Sequence, residues 1–364
     1  MRKITFTFIF ALSIFFNVSG QTSNSGGVDA QLAEKLYNEG IKNFEAKEYQ
    51  KAIMNFDNAI GQKPALIKAL FNRGSVKMEI KDYKGAIEDF DKYISSDSTY
   101  AKAYFNRGLA KNYINDKQGA INDFTKAINK DLMYPQAFYY RGTIKFEKND
   151  LKAALSDFNA AINWNPEYAY AYNDRGSVKK QLEDYNGALE DYKKAISINP
   201  KISFFYDNIA GVFRKLNKND DAMTNYNTAI NLKSDYYIAY DNRGSLKFEM
   251  KDFKGAVDDY SEAIKINPQY SFAFNNRGNA KYKLEDYKGA IADFDQAIKI
   301  NAEYGNAYLN RAIAKEMIRD NDGACKDWER AFSLGITVAE NYLKQQCNYS
   351  PTNTNTNTKT KNKK

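Results

Sequence analysis

The chain has 364 residues and no histidine, which excludes histidine-based catalytic triads and metal sites with imidazole ligands. Hydrophobic residues make up 43% of the sequence and aromatic residues 15%, enough for a continuous core. The formal net charge is +8, but two basic residues near the N-terminus and four lysines near the C-terminus leave only +2 for the rest. A nearly neutral body argues against nucleic acid as a partner.

The first twenty residues have the pattern of an export signal. Arg2 and Lys3 precede an apolar stretch, residues 4–16, that is too short to span a bilayer. The small residues that end at Gly20 suit a cleavage site, although an uncut membrane anchor is the alternative. We predict a signal peptide over residues 1–20 and export by the general secretory route to the periplasm or extracellular space. No stable membrane span is expected after cleavage.

Two segments outside the helical pattern are predicted to be unstructured. Residues 21–28 are rich in Ser and Gly and are predicted to be a flexible linker. Residues 348–364 alternate Thr and Asn and then become rich in Lys, a composition that cannot bury a core. The predicted folded part is therefore residues 29–347.

A period of 34 residues runs through this folded part. Nine units start near Ala33, Ile67, Ala101, Pro135, Ala169, Ser203, Tyr237, Ser271 and Gly305. Each unit divides into two amphipathic helices of about 12–14 residues joined by a polar turn. Such a period predicts a repeat array, in which each unit contacts only its neighbours.

Small and aromatic residues recur at fixed places in these units, as Gly278, Ala290 and Phe294 do in the eighth. The small residues let two helices approach closely, and the aromatic ring fills the gap. In these recurring small and aromatic residues, the segment 33–336 resembles the tetratricopeptide repeat (TPR) family. The resemblance implies an all-α fold, a right-handed TPR superhelical solenoid of antiparallel helix pairs, with residues 337–347 as a C-terminal capping helix.

Seven of the nine units carry an Arg on the first helix, a Lys four residues later and an Asp sixteen residues after the Arg. The Arg–Asp pairs are Arg73–Asp89, Arg107–Asp123, Arg141–Asp157, Arg175–Asp191, Arg243–Asp259, Arg277–Asp293 and Arg311–Asp327. The sixth unit loses all three residues together and has Ile209, Phe213 and Asn225. Because the three change as a set, we predict structural salt bridges within each repeat. A ladder of ligand-binding cations is the alternative.

Asn precedes that Arg position in seven of the nine units. These residues are Asn38, Asn72, Asn106, Asn208, Asn242, Asn276 and Asn310. The column resembles the asparagine ladder in the TPR superhelix of O-linked N-acetylglucosamine transferases. That resemblance implies side chains that face the concave surface and bind an extended peptide backbone. Packing between helices, or duplication of one ancestral repeat, is the alternative.

Aromatic residues stand one place before the Asn column in the first four units. They are Tyr37, Phe71, Phe105 and Tyr139, which we predict to be peptide-binding anchors or, alternatively, core between repeats. In units five to eight that place is polar, and apolar residues stand three places earlier instead. These are Tyr170, Phe204, Ile238 and Phe272.

The two cysteines, Cys325 and Cys347, lie near the C-terminal end of the array. Export favours pairing of an even number of cysteines. Antiparallel packing of the last repeat's second helix against the capping helix would bring the two together. We predict a disulfide; two free thiols are the alternative.

These features predict a protein-interaction scaffold that binds an extended peptide or partner protein in a concave groove. No nucleophile motif occurs, so we expect no enzyme activity, cofactor, metal or nucleic acid partner. A glycan-binding or accessory protein of a cell-envelope assembly is the alternative. The sequence does not indicate the oligomeric state.

Overall fold

The computed structural model describes residues 27–347, and these residues are almost entirely helical. They fall into two compact units, one ending at Met133 and the other beginning at Tyr134. The 34-residue period runs through this division without a break, so the division was not predictable from the repeats. The predicted signal peptide, most of the predicted linker and the predicted disordered tail lie outside the described residues.

The first unit contains α1 (Gly27–Glu45), α2 (Tyr49–Gln62), α3 (Ile67–Glu79), α4 (Tyr83–Ser96), α5 (Ala101–Tyr113) and α6 (Lys117–Lys130). The second contains α7 (Pro135–Glu147), α8 (Leu151–Trp164), α9 (Ala169–Gln181), α10 (Tyr185–Ile198), α11 (Ser203–Lys215), α12 (Asn219–Leu232), α13 (Tyr237–Glu249), α14 (Phe253–Ile266), α15 (Ser271–Lys283), α16 (Tyr287–Ile300), α17 (Gly305–Met317), α18 (Asn321–Ser333) and α19 (Ala339–Gln346).

Consecutive helices form pairs, so each repeat has an odd-numbered first helix and an even-numbered second helix. From α3 to α17, the first helices begin at the repeat starts taken from the sequence. The exception is α1, which begins at Gly27 and so includes the end of the predicted linker. The last helix, α19, lies within the predicted capping segment and packs against α18.

The turn inside a repeat is closed by backbone and side-chain hydrogen bonds. After α3, Lys81 adopts a positive φ of 65°, and the N–H of Asp82 bonds to the carbonyl of Lys77 at 2.9 Å. The Asp82 side chain then accepts from the N–H of Gly85 and caps α4. The positive φ occurs in all nine described repeats, whereas the first and sixth lack the Asp cap and have Glu48 and Lys218 there.

One large aromatic side chain per repeat fills the space between the two helices of a pair. These residues, none more than 2% exposed, are Phe56, Phe90, Phe124, Phe158, Tyr192, Tyr226, Tyr260, Phe294 and Trp328. The opposing helix carries a small residue at the contact. A Cβ placed on Gly278 would lie only 2.6 Å from Cε1 of Phe294, so glycine sets the spacing of that pair.

Within each unit, the first helices of neighbouring repeats also contact each other. In the first unit α3 contacts both α1 and α5, and in the second α7, α9, α11, α13, α15 and α17 form a continuous series. Equivalent positions on successive first helices are therefore neighbours, which places the sequence columns side by side. Among residues 27–347, no helix combines the length and apolar character needed to cross a membrane.

Candidate functional site

Each of the seven Arg residues forms a bidentate salt bridge with the Asp of its own repeat. In the third repeat, Nε and Nη2 of Arg107 donate to Asp123 at 2.8 and 2.6 Å, and Nζ of Lys111 lies 2.8 Å from the same carboxylate. The other pairs in the same arrangement are Arg73–Asp89, Arg141–Asp157, Arg175–Asp191, Arg243–Asp259, Arg277–Asp293 and Arg311–Asp327. Because Asp123 is only 1% exposed, we assign the set to helix packing and not to a ligand.

The guanidinium groups also reach the preceding repeat, a contact that comparison of the columns missed. Nη1 of Arg107 donates to Asp91 at 2.6 Å, and the guanidinium lies over the Tyr104 ring at 5.5 Å. The same nitrogen of other Arg residues reaches Asp57, Asn159, Asn227, Ser261 and Asp295. A signal existed: Lys193 stands at this place before Ile209, and among the repeats that follow another repeat only this one lacks the Arg.

Repeat six replaces this polar set with apolar packing. Ile209 and Phe213 are buried and join a hydrophobic cluster with Tyr226 and Leu246. The fold of the helix pair is kept, so a repeat with an apolar set needs no guanidinium at this position. The sixth repeat is therefore chemically different from its neighbours in the second unit.

The Asn column forms hydrogen bonds between repeats, which we call the amide ladder. Five of the seven amides donate through Nδ2 to a residue 35 places earlier, on the preceding first helix. These bonds are Asn72–Tyr37 (2.8 Å), Asn208–Asn173 (2.8 Å), Asn242–Asp207 (2.8 Å), Asn276–Asp241 (3.0 Å) and Asn310–Asn275 (2.9 Å). In the fourth and fifth repeats the direction is reversed, since the hydroxyl of Tyr139 donates to Asp174 at 2.9 Å.

The ladder joins the Asn column to the column one residue before it, which the sequence analysis had interpreted separately. Tyr37, Phe71, Phe105 and Tyr139, predicted as peptide anchors, are all buried, at most 9% exposed. We therefore correct that assignment: each ring packs against the large aromatic side chain on the second helix of its own repeat, and the tyrosine hydroxyls serve the ladder. Burial raises the pKa of Tyr139 well above its ordinary value.

The members of the Asn column differ in how far a ligand can reach them. Asn106 and Asn208 are buried, which removes them from the predicted binding set, while Asn38 is exposed. Four others, Asn72, Asn242, Asn276 and Asn310, are partly exposed. The ladder uses one N–H of each amide, so the carbonyl oxygens of Asn242 and Asn310 stay available as acceptors.

The ladder has a defect in the first unit. Nδ2 of Asn106 has no hydrogen-bond partner among residues 27–347, although the side chain is only 2% exposed. The ladder position that should accept from it is held by Phe71, whose ring has no acceptor atom. In the second unit the acceptor column includes Asp241. Burial raises the pKa of this carboxyl to about 6, although hydrogen bonds from Asn276 and Tyr270 act in the opposite direction and lower it.

Apolar side chains that are exposed or partly exposed follow one line along the first helices of the second unit. Tyr170, Phe204, Ile238 and Phe272, which we call the apolar strip, occupy the same position in repeats five to eight. Phe272 is 50% exposed and Tyr170 36%. Tyr170 and Phe204 are in ring contact at 6.1 Å. Each strip residue stands four places before the Asn column, so strip and ladder share one helix face.

The two cysteines link the last repeat to the C-terminal capping helix. Cys325 on α18 and Cys347 after α19 form a disulfide with a Cα–Cα distance of 5.7 Å. Beside it, the rings of Trp328 and Tyr342 stack at 5.1 Å. Among residues 27–347, no group of three or more acidic, His or Cys side chains is arranged to hold a metal ion.

Family models identify the repeats. Models described as "Tetratricopeptide repeat" match residues 67–100, 135–168, 169–202 and 271–304, and one described as "TPR repeat" matches residues 244–285. Together with the tandem helix pairs, these matches decide the family. The chain is a tetratricopeptide repeat protein. TPR arrays are in general scaffolds for protein interaction and are typically not enzymes.

Solved structures show the same fold. A chain of the APC/C hetero-tetramer Cut9–Hcn1 superposes on this TPR protein with a TM-score of 0.57 at 12% identity, covering 86% of this chain and 76% of that one. A tetratricopeptide repeat protein from Parabacteroides merdae gives 0.47 at 19% identity, covering 79% and 98%. MamA gives 0.44 at 24%, covering 47% and 93%. A comparison with curated protein sequences finds no match.

The salt-bridge set predicts an unusual order of mutational effects. Asp293→Asn removes the carboxylate shared by Arg277 and Lys281 and should destabilise the TPR protein by somewhat less than the about 3–5 kcal/mol found for fully buried pairs, since both cations are partly exposed. Adding Arg277→Ile and Lys281→Phe recreates the set of repeat six and should restore part of the loss. Thermal unfolding followed by circular dichroism measures both. A triple variant less stable than Asp293→Asn would contradict the structural role.

The ladder defect predicts a stabilising substitution. Phe71→Tyr places a hydroxyl where Tyr37 has one in the preceding repeat, and it should satisfy Asn106. The expected gain is about 0.5–1.5 kcal/mol in the free energy of unfolding. Phe124→Tyr is the matched control, because Leu109 stands where Ser177 and Ser245 partner the hydroxyls of Tyr192 and Tyr260. Equal effects of the two changes in urea unfolding would argue against the ladder.

Proposed function

We propose that this TPR protein binds an extended peptide segment of a partner protein along the first helices of repeats five to eight. The observation that carries the proposal is the apolar strip. Exposed aromatic side chains are typical interface anchors, and Tyr170 and Phe272 keep about a third to a half of their surface exposed although they contact rings of the neighbouring repeats.

The partly exposed amides complete the proposed surface. Phe272 and Asn276, like Ile238 and Asn242, lie one helical turn apart on the same face. An extended peptide can place side chains on the strip while its backbone N–H groups reach the carbonyl oxygen of Asn242. The ladder holds these amides in fixed orientations, which lowers the entropy cost of binding.

The ladder also limits which variants can test the proposal. Asn242 and Asn276 hold the buried carboxylates of Asp207 and Asp241, so replacing either Asn by Ala should lower stability along with affinity. Strip residues hold no buried carboxylate, although their rings also contact neighbours, as Tyr170 contacts Phe205 and Phe272 contacts Tyr304. The strip is therefore the part of the site that separates binding from folding.

The test measures the affinity of a labelled peptide that alternates leucine and serine, by fluorescence anisotropy with the full chain. Tyr170→Ala and Phe272→Ala together should weaken binding about tenfold or more, since the loss of two anchors of this type should cost at least about 1.4 kcal/mol in total. Trp164→Ala, at the end of the second helix α8 and 44% exposed, is the matched control and should have no effect. The melting temperature should be unchanged in the control and should fall only slightly in the double variant, because Tyr170 and Phe272 also contact Phe205 and Tyr304.

Two results would redirect the assignment. Unchanged affinity in the Tyr170 and Phe272 variant would remove the strip from the site. Exposed aromatic rings also suit the faces of sugars, so displacement of the peptide by cell-wall oligosaccharides, with direct binding of the sugar, would favour the glycan-binding alternative over a peptide partner.

We also propose that the chain is exported to the periplasm or the extracellular space. Supporting this are the apolar N-terminal segment and the pairing of Cys325 with Cys347, since disulfides persist mainly in oxidising compartments. The bond would stabilise the last repeat by about 3 kcal/mol through loop closure. Protein recovered from the envelope fraction and denatured without reductant should show no reactive thiol. Two reactive thiols per chain would contradict the proposal.

A further inference from the structure

A cluster of four aromatic rings lies at the C-terminal end of the proposed peptide surface. Tyr237 begins α13, Tyr270 and Phe272 lie at the start of α15, and Tyr304 directly precedes α17. The ring centroids of Tyr237 and Tyr270 are 4.9 Å apart, those of Tyr270 and Phe272 5.6 Å, and those of Phe272 and Tyr304 5.1 Å. Phe272 is half exposed and the tyrosines are partly exposed, so a ligand on the apolar strip can reach these four residues, which we call the ring cluster.

Aromatic rings elsewhere in the array already carry a cation. In the column three places before the Arg position, the guanidinium of the same repeat lies within 5.6 Å of the ring centroid. These rings are Tyr104, Phe138, Tyr172, Tyr240, Phe274 and Tyr308. Within residues 27–347, by contrast, no Lys or Arg lies over a ring of the ring cluster. The exposed side of Phe272 is therefore open to a cation supplied by a ligand.

A buried carboxylate stands beside the ring cluster. Asp241 is 7% exposed and accepts from Nδ2 of Asn276 at 3.0 Å and from the hydroxyl of Tyr270. Unlike the acids of the Arg–Lys–Asp sets, it forms no salt bridge with any of residues 27–347. Burial, and after it the charge of Asp241, raises the pKa of Tyr304 to about 12. The carboxylate charge thus acts at the ring cluster, where it favours a cation.

Two charged side chains on α11 also face this carboxyl. Arg214 lowers the pKa of Asp241 and Asp207 raises it, so the two act in opposite directions. The Arg214 guanidinium is held by Glu249, to which Nε and Nη2 donate at 2.7 and 2.6 Å. At Tyr304, by contrast, Asp241 is the one charged group that shifts the pKa of the hydroxyl. The field of the carboxylate therefore outweighs that of the guanidinium at this ring.

We propose that the ring cluster binds a basic side chain, Arg or Lys, of the partner peptide, with the cation over the exposed faces of Phe272 and Tyr304. This inference rests on the proposed peptide surface and adds a specificity to it: a basic residue beside the apolar residues that contact the strip. Asp241 is buried and contributes through its charge, without touching the ligand.

The test uses two labelled leucine–serine peptides whose central serine is replaced by arginine in one and by citrulline, its uncharged analogue of the same shape, in the other. Fluorescence anisotropy with the full chain at about pH 7.5 should show about fivefold tighter binding of the arginine peptide, as a cation–π contact at partly exposed rings provides. The ratio of the two affinities is the readout, because apolar contacts with the strip are common to both peptides.

Ring variants test the contact itself. Phe272→Leu and Tyr304→Leu each keep an apolar side chain but remove the ring face, so each should lower the ratio while the citrulline peptide still binds. Leucine is compatible with both places, since Ile238 stands at the first in repeat seven and Leu66 at the second before repeat two.

A charge variant tests the carboxylate separately. Asp241→Asn keeps an acceptor in the amide ladder, as Asn275 shows by accepting from Asn310 at 2.9 Å in the next repeat. The ratio should fall towards one. The melting temperature at about pH 7.5 should not fall, because burial already disfavours the ionised carboxyl.

Protonation of Asp241 should have the same effect as this substitution. Its pKa of about 6 predicts that the arginine preference is present above about pH 6 and is lost as the pH falls to about 5. Tyr260, Tyr270 and Tyr304, which also face Asp241, have raised pKa values and stay neutral over this range. The Asp241→Asn variant should show no such step, whereas a step that arose from Asp207 would remain.

Two controls match these changes. Asp258→Asn removes an exposed carboxylate on α14, and Trp164→Leu removes an exposed ring at the end of α8. Both should leave the ratio unchanged. The lysines near the C-terminus are common to every variant, so their repulsion of the arginine peptide sets the same baseline throughout.

Equal affinity for the arginine and citrulline peptides, or a preference that survives both Phe272→Leu and Asp241→Asn, would overturn the inference. Binding of the citrulline peptide without an arginine preference would leave the proposed function standing and reject the basic specificity. An arginine preference that depends on Phe272 and Asp241, without binding of the citrulline peptide, would support the cation site and reject the apolar strip as an anchor. Binding of neither peptide would reject both.

Discussion

A repeat array must rebuild the same boundary between every pair of neighbours, because no repeat contacts a common core. In this chain one guanidinium serves three helices at such a boundary. Arg107 on α5 binds the carboxylate of Asp123 on α6 and reaches Asp91 on α4, the second helix of the preceding repeat. Its guanidinium also lies over the ring of Tyr104 on α5 itself. Its planar fork of donors suits this task better than an ammonium would. The amide ladder adds a second set of polar contacts between successive first helices.

Comparison of the repeats within the sequence was enough to predict the helix pairs and the Arg–Asp partners. A fixed offset of sixteen residues always joins the same points on two helices of one pair, so residues that change together lie together. The amide ladder was not predictable in this way. It joins two different columns in successive repeats, such as Asn242 and Asp207, and that relation depends on how one first helix packs on the next.

Burial was the other quantity that periodicity left open. Phe71 and Phe272 lie only three places apart in the repeat, yet one is 3% exposed and the other 50%. The difference arises because the place of Phe71 faces the neighbouring first helix, while that of Phe272 lies one turn earlier on the open side. A column of aromatic residues indicates that a surface is apolar, but only the packing decides whether water or protein covers it.

Repeat six shows how such an array acquires a local chemistry without losing its fold. Ile209 and Phe213 replace a charged set by apolar contacts, which removes the need for paired ions at that boundary. The columns that face outward are then free to differ, and Gly211 and Arg214 do so. The helix pair of repeat six is nevertheless kept, so the set of residues at a repeat boundary and the outward-facing side chains of the first helix can change separately from the fold.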